Sequence, residues 1–305
     1  MEKFKDMYKT AKGEDRAFVE LKQLDTLWFN TGTLCNLACK NCYIESSPKN
    51  DRLVYLTAQD IKPYLDEIKS NQLETKMIGL TGGEPFLNPH IIEILELILS
   101  YELEVLVLTN ANRVLKRHHV ALLELKDKYQ DQLHLRISLD HHSQEIHDQE
   151  RGAGAFAKTI SEMQWLSENG FNISLASRSL SEETQETSLE MHKKLLDENN
   201  IKINLNEKLV IFPEMKSGRE LPEITTACWG ILNKRPEDQM CANERMVVKR
   251  KGDEKPIIMP CTLLAYDEQF IMGTSLEKAS DKVYLNHPFC AEFCVLGGAS
   301  CSSTK

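Results

Sequence analysis

The chain has 305 residues, 41% of them apolar, which is enough to bury the core of one large domain with or without a small appendage. Its formal net charge of −9 argues against a nucleic-acid-binding or anionic-membrane-binding protein, because phosphate binding requires clustered lysine and arginine. The charged N-terminal segment does not have the pattern of a signal peptide, and no apolar stretch has the length of a membrane span. These features predict a cytoplasmic protein.

Taken in chain order, residues 1–22 are polar and predict a helical lead-in. Short apolar segments then alternate with amphipathic ones. Strands are predicted at 27–30, 77–80, 105–109, 135–140, 173–176 and 203–205. Helices are predicted at 57–69, 89–100, 114–128, 157–169 and 181–198. The first of these helices begins with a capping-box pattern of Thr57 and Asp60.

Alternation of this kind predicts βαβ units and a parallel sheet. Six units cannot close the eight-stranded barrel, so the fold class is α/β, a partial (β/α)6 parallel barrel that is open on one side. From about residue 213 the sequence becomes loop-like and cysteine-rich, and two strands at 246–250 and 256–259 are predicted to pair. We therefore expect two domains, the barrel over 1–215 and a small Cys-rich α+β extension over 216–305.

The chain has nine cysteines, an odd number that cannot be fully paired, and a reducing compartment disfavours structural disulfides. Cys35, Cys39 and Cys42 follow the first predicted strand, at the strand end where α/β folds place their chemistry. A 4Fe–4S cluster has four ligands, so three cysteines leave one iron open to a substrate or cofactor. A zinc knuckle is the alternative, although zinc sites usually show two CxxC-like pairs.

The segment 34–43 closely resembles the cluster motif of the radical S-adenosylmethionine (SAM) superfamily. This resemblance implies that the open iron binds the amino and carboxylate groups of SAM. It also implies that the reduced cluster cleaves SAM to a 5′-deoxyadenosyl radical, which takes a hydrogen atom from the substrate. The family usually has an aromatic residue just before the third cysteine, where this sequence has Asn41 and places the aromatic Tyr43 one residue after that cysteine.

Polar residues at the ends of three further strands resemble the SAM-binding positions of the same family. A Gly-Gly-Glu sequence ends the second strand, which implies a contact to the SAM amino group. Ser138 and Asp140 share one face of the fourth strand and resemble a ribose-contacting pair, with capping of the next helix as the alternative. Arg178 follows the fifth strand, either as a partner of the SAM carboxylate or as a surface residue. The SAM-binding residues implied in this way are Gly82, Gly83, Glu84, Ser138, Asp140 and Arg178.

Six cysteines lie beyond residue 215. A hairpin flanked by cysteines and followed by a CxxxC pair resembles the twitch appendage, the shortened SPASM domain of radical SAM enzymes. The resemblance implies that an auxiliary 4Fe–4S cluster is bound by Cys241, Cys261, Cys290 and Cys294. Cys301 could replace one of the CxxxC pair, and Cys228 could replace Cys241. A zinc site with four thiolates is the alternative.

The predicted function is that of a radical SAM oxidoreductase, which completes an oxidation or bond formation with the help of the auxiliary cluster. A small metabolite is the preferred substrate, because a lead-in of about 25 residues is short for a leader-peptide-binding domain. A peptide-modifying maturase is the first alternative, and a non-catalytic Fe–S or zinc-binding protein is the second. The expected partners are the substrate and an electron donor such as flavodoxin or ferredoxin, and neither nucleic acid nor a membrane.

Overall fold

The computed structural model describes residues 2–215 and 220–301. Its strands are β1 (Phe18–Val19), β2 (Thr26–Asn30), β3 (Met77–Thr81), β4 (Glu104–Thr109), β5 (Leu133–Ser138), β6 (Asn172–Arg178), β7 (Leu209–Phe212), β8 (Glu244–Val248), β9 (Ile257–Met259) and β10 (Val283–Tyr284). Its α-helices are α1 (Ala58–Ser70), α2 (Ile91–Leu99), α3 (His119–Tyr129), α4 (Gln144–Arg151), α5 (Ala155–Glu168), α6 (Gln185–Glu198), α7 (Leu205–Lys208) and α8 (Cys228–Ile231). A π-helical turn spans Cys290–Leu296.

Eight of these strands form one sheet in the order β7-β6-β5-β4-β3-β2-β8-β9. The strands from β2 to β7 are parallel, and helices follow them in the alternation that the sequence predicts. Among the described residues β7 and β9 remain the two edges, so the sheet is open. The predicted α/β class and partial parallel barrel are confirmed.

Helix α1 begins where its sequence predicts, because its first turn is capped from both sides. The Thr57 hydroxyl accepts a hydrogen bond from the Asp60 amide at 3.3 Å, and the Asp60 carboxylate accepts one from the Thr57 amide at 3.0 Å. Two backbone N–H groups at the start of the helix, which have no partner within the helix, thereby gain a hydrogen bond. The apolar side chains of Ile61 and Leu65 then pack into the core between the helices and the sheet.

Two sequence-based assignments are wrong, and one helix is missing from the prediction. Residues 2–22 contain turns and the short strand β1 instead of a helix, because the buried Arg16 guanidinium donates to the carbonyls of Asp6 and Lys9 and to the carboxylate of Glu223. The sixth parallel strand lies at 209–212 instead of 203–205, and the helical turn α7 occupies part of the predicted range. Helix α4 was not predicted, because its sequence is almost entirely polar.

The hairpin of the cysteine-rich region is confirmed, since β8 and β9 pair antiparallel. Its first strand also pairs with β2 in parallel, so this region extends the main sheet. The cysteine-rich segments pack around a second apolar core that includes Trp28, Met246 and Phe293. The domain boundary at 215 stays a prediction, and it adjoins residues 216–219, which lie outside the described part of the chain. In the described ranges no helix combines the length and apolar character that a membrane span needs.

Candidate active site

A cavity of about 200 Å³ opens where the parallel strands end. This is the edge of the sheet at which α/β folds bind ligands. Residues from the cysteine loop and from the ends of β3 to β6 converge on it. The predicted site residues that line it are Cys35, Cys39, Cys42, Gly82, Gly83, Ser138, Asp140 and Arg178.

The triad sulfurs receive hydrogen bonds suited to thiolate ligands. The Leu37 amide donates to Cys35 Sγ at 3.4 Å, and the Ser46 amide donates to Cys42 Sγ at 3.3 Å. Burial raises the pKa of the Cys35 thiol to about 12, so a thiolate there requires compensating positive charge such as that of bound iron. Three free thiols on one loop, with N–H donors directed at two of their sulfurs, fit an iron–sulfur cluster with one open iron.

The Gly-Gly turn holds the cysteine loop against the end of β3. The Gly83 amide donates to the Gly32 carbonyl at 2.8 Å. A Cβ atom at Gly82 would lie 2.4 Å from the Gly32 oxygen, and one at Gly83 would lie 2.2 Å from the Leu34 oxygen. Any side chain would therefore push the two segments apart, and the φ of +136° at Gly82 also favours glycine.

The Glu84 carboxylate lies behind this turn and not in the cavity. One oxygen accepts from the Thr109 hydroxyl at 2.8 Å and from the Phe86 amide at 3.1 Å, and the other accepts from the Asn110 amide at 2.8 Å. Burial raises the pKa of this carboxyl to about 7. The Glu84 oxygens thus bind the end of β4 in this structure, and the expected contact of Glu84 with the SAM amino group stays a prediction.

Asp140 is held by two arginines. Arg151 binds both of its carboxylate oxygens, with distances of 2.7 and 2.8 Å, and Arg178 Nη2 lies 2.7 Å from Oδ2. The two guanidinium groups hold the pKa of Asp140 well below its usual range despite burial. Asp140 therefore positions Arg151 and Arg178, and both Asp140 and Ser138 line the cavity, where their contact with ribose stays a prediction.

Asn41 connects the cysteine loop to the same network. Its side-chain amide donates to both carboxylate oxygens of Glu150, at 3.0 and 3.2 Å. Glu150 in turn accepts from Arg178 at 2.9 Å, and its carbonyl accepts from the Lys40 amide. The residue that replaces the usual aromatic thus ties the loop to helix α4.

Four of the C-terminal cysteines lie together. Cys241 precedes β8, Cys261 follows β9, and Cys290 and Cys294 lie four residues apart in the π-helical turn. All four line a small, mostly apolar cavity. Burial, and then repulsion from Cys261, Cys290 and Cys241, raise the pKa of Cys294, so the four sulfurs lie close enough to interact. Four free thiols, three of them on buried residues, fit a fully ligated 4Fe–4S cluster or a zinc ion, and this ligand set stays a prediction.

The two remaining C-terminal cysteines lie apart from this cavity. The Cys301 sulfur accepts a hydrogen bond from the Thr262 hydroxyl at 3.1 Å and lines the larger cavity. Cys228, in α8, accepts from the Thr225 amide at 3.3 Å.

Sequence reasoning did not assign Arg151, Glu150 or Arg136 to the site. The structure places Arg151 and Arg136 at the cavity wall. A signal existed for Arg136, since it shares the strand face of Ser138 and lies between Leu135 and Ile137 in a predicted buried strand, where a charge is costly. The pairing of Glu150 with Asn41 joins residues too distant in sequence for a local pattern to show.

Residues 29–195, more than half of the chain, match the radical SAM superfamily. The chain belongs to the radical SAM superfamily. Proteins of this superfamily bind a 4Fe–4S cluster and SAM. The resemblance drawn from the triad and the Gly-Gly-Glu motif is confirmed, while the twitch-type appendage stays a prediction.

Two curated relatives are about one third identical in sequence to part of this chain. One is AlbA of Bacillus subtilis, the antilisterial bacteriocin subtilosin biosynthesis protein. It is 36% identical over 143 residues, which are 47% of this chain and 30% of AlbA. The mycofactocin maturase MftC of Mycolicibacterium smegmatis is 30% identical over 137 residues, which are 45% of this chain and 33% of MftC. The chain therefore spans about a third of the length of the curated relatives it matches.

Solved structures share the fold. Streptococcus suis SuiB bound to its precursor peptide SuiA aligns with a TM-score of 0.60 at 16% identity, over 86% of this chain and 66% of SuiB. The enzyme anSMEcpe with bound SAM aligns with a TM-score of 0.59 at 14% identity, over 84% of this chain and 77% of that protein. At these identities the likeness extends to the fold alone.

Proposed function

We propose that this radical SAM enzyme modifies a peptide. The observation that carries the proposal is the 36% identity to AlbA, a bacteriocin biosynthesis protein, and it is supported by the identity to MftC, a named maturase. The shared fold with SuiB, which has been solved with a precursor peptide, is compatible with it. These comparisons favour the peptide alternative over the small-metabolite substrate that the sequence suggested.

In this proposal Cys35, Cys39 and Cys42 would hold a 4Fe–4S cluster with SAM at its open iron. When bound, the reduced cluster would supply one electron for the cleavage of SAM, which yields a hydrogen-abstracting radical. The protein's own residues position the ligand. The backbone of the Gly-Gly turn faces the cavity and is assigned to the SAM amino group. The Ser138 hydroxyl is assigned to the ribose.

Arg178 is assigned to the SAM carboxylate. It lines the cavity, and its Nη2 is held by Asp140 and Glu150. Its buried Nε donor has no hydrogen-bond partner among the described residues. An anionic ligand group would satisfy this donor, which is otherwise costly to leave unpaired.

An apolar part of the cavity is assigned to the substrate. It is formed by Phe212, Met215, Leu263 and Phe293. Ligand sites commonly combine apolar walls with a few placed polar groups, and this wall suits an apolar peptide side chain. The polar residues assigned to SAM and the apolar residues assigned to the substrate thus line one cavity.

The tetrad Cys241, Cys261, Cys290 and Cys294 is assigned to an auxiliary 4Fe–4S cluster, which can accept an electron when the substrate is oxidised. Leu263 lines both this small cavity and the larger one, so the two sites adjoin. An electron donor such as flavodoxin or ferredoxin, and a cytoplasmic location, belong to the proposal. All nine cysteines are free thiols, which fits a reducing compartment.

The test is anaerobic reconstitution of the full chain with iron, sulfide, SAM and a strong reductant, with and without a short precursor peptide encoded beside its gene. We expect 5′-deoxyadenosine in both samples, faster formation with the peptide, and a mass change in the peptide. The absence of 5′-deoxyadenosine would contradict the enzyme assignment. Stimulation by a small metabolite, with no change in the peptide, would contradict the peptide assignment alone.

A further inference from the structure

We infer that the peptide substrate binds as an extended strand along the edge of β7, with one side chain directed into the active cavity. Strand β7 is one of the two edges of the eight-stranded sheet in the described part of the chain. It ends at Phe212, which lines the active cavity together with Met215. The inference rests on the proposed function, since it assigns a place and a backbone conformation to the peptide that the proposed function names.

The hydrogen bonds of β7 leave the backbone of Ile211 directed away from the sheet. The Ser179 amide donates to the Phe212 carbonyl at 2.9 Å, so the backbone of Phe212 faces β6. Alternate residues of a parallel strand bond to the same neighbour, so Val210 also faces β6 and Ile211 faces the opposite side. Among the described residues the Ile211 N–H and C=O have no partner on that side. An extended peptide offers one acceptor and one donor at the matching spacing.

The other edge of the sheet is covered by the chain itself. Ile258 in β9 donates its amide hydrogen to the Gly273 carbonyl at 2.8 Å, and its carbonyl accepts from the Met272 amide at 2.9 Å. Within the described ranges β9 is therefore closed by the segment 272–273, whereas β7 has no such cover. An uncovered edge strand is the place at which a further strand adds to a sheet.

Two cavities lie along β7 on the same face of the sheet. Phe212 lines the active cavity, and Val210, two residues earlier, lines a second cavity of about 530 Å³. Side chains two residues apart on a strand point to one face and lie about 6.6 Å apart. A peptide strand in register beside β7 would therefore direct two alternate side chains toward these two cavities.

The difference in polarity between the two cavities defines the peptide. The active cavity has the apolar wall to which the substrate side chain is assigned. The second cavity is lined mainly by polar side chains, among them His134, Ser174 and Lys208. The expected substrate therefore carries an apolar residue at the modified position and a polar residue two positions away.

Amide hydrogen exchange tests the placement directly. The probe is the short precursor peptide encoded beside the gene, added to the reconstituted full chain with SAM. We expect the Ile211 amide to exchange readily in the free protein and at least tenfold more slowly with the peptide. Unchanged exchange beside a peptide that is modified would overturn this inference alone, and a peptide that neither binds nor is modified would overturn the proposed function and this inference with it. Protection that appears without peptide and grows with protein concentration would show a second copy of the chain on β7, and would also overturn it.

Variants of Ile211 test the backbone donor. Ile211→Pro removes the outward N–H and leaves the ladder to β6 in place, because proline is tolerated on an edge strand where its nitrogen faces outward. We expect the KM for the peptide to rise about three- to tenfold, the value of one hydrogen bond, with a smaller change in kcat. Ile211→Val is the matched control, since it keeps the amide and trims the side chain that packs against the core, and its KM should rise less. Equal KM values in both variants would overturn the inference, and exchange in the wild type remains decisive if Ile211→Pro does not fold.

Discussion

The two cysteine groups present similar sulfur ligands to very different surroundings. The triad Cys35, Cys39 and Cys42 lines a cavity of about 200 Å³ whose walls carry arginines paired with carboxylates. The C-terminal tetrad lines a cavity of about 20 Å³ with mostly apolar walls. Its neighbour Arg245 donates to backbone carbonyls, including that of Cys241. The first cavity can admit a charged ligand, whereas the second is small and offers mostly apolar contacts.

The largest effect is expected from Cys39→Ala in the triad. Loss of one of the three proposed ligands should abolish 5′-deoxyadenosine formation, because the proposed function places SAM on the open iron of that cluster. About four irons per chain should remain if the tetrad holds its own 4Fe–4S cluster. Iron analysis and product chromatography measure both outcomes. Zinc in place of the remaining iron would show that the tetrad is a zinc site.

The reverse variant, Cys261→Ala, should remove about four irons and leave SAM cleavage measurable while peptide modification is lost. It should also lower the thermal midpoint, because the proposed cluster, held by three buried cysteines and Cys294, would be lost. Cys228→Ala is the matched control, since Cys228 lies outside the tetrad cavity. An unchanged iron content in Cys261→Ala would contradict the proposed ligand set.

Arg151→Met tests the charged wall of the active cavity. It leaves the buried Asp140 with Arg178 as its remaining arginine, and removal of one partner from a buried pair costs about 3–5 kcal/mol. We expect a loss toward the lower end of that range in denaturant unfolding, together with weaker SAM binding by calorimetry. Arg117→Met, at an exposed position, should change neither quantity.

The smallest effect concerns pH. Burial lowers the pKa of His147, in α4, to about 4, and neither ring nitrogen has a hydrogen-bond partner among the described residues. The folded protein therefore resists a proton that the unfolded chain accepts below about pH 6.5, so stability is lost as pH falls from 6.5 toward 4.

Between pH 7 and pH 5 this loss amounts to about 1–2 kcal/mol. His147→Leu should remove that part of the pH dependence without breaking a hydrogen bond. Thermal midpoints of both proteins across this pH range provide the measurement. Parallel curves for wild type and variant would contradict the assignment.

Local patterns explain which parts of the site were predictable from the sequence. The triad and the Gly-Gly turn each lie within a few residues, directly after a strand, so spacing was enough to find them. The Asn41–Glu150–Arg178 network depends on tertiary contacts between distant segments, and no local pattern encodes it. The same reason accounts for the lead-in, where a buried Arg16 holds turns in a segment whose composition suggested a helix.

The sixth strand shows a different difficulty. Ile203 and Leu205 alternate as a strand would, yet Leu205 begins the helical turn α7. The strand that pairs with β6 is the run Leu209–Phe212, which is followed directly by Pro213. The sequence of a short apolar run does not show whether the run forms a strand, because packing against the neighbouring strand decides which run joins the sheet.

The pairing of β8 with β2 has a consequence for electron flow. Cys35 follows the carboxyl end of β2. Because β8 runs parallel to β2 and β9 runs antiparallel to β8, Cys241 and Cys261 lie toward the amino end of β2. Two clusters bound at these positions would be separated along the strands, so the length of β2 would contribute to the gap that an electron must cross, and the sheet would fix that gap without a hinge or docking motion.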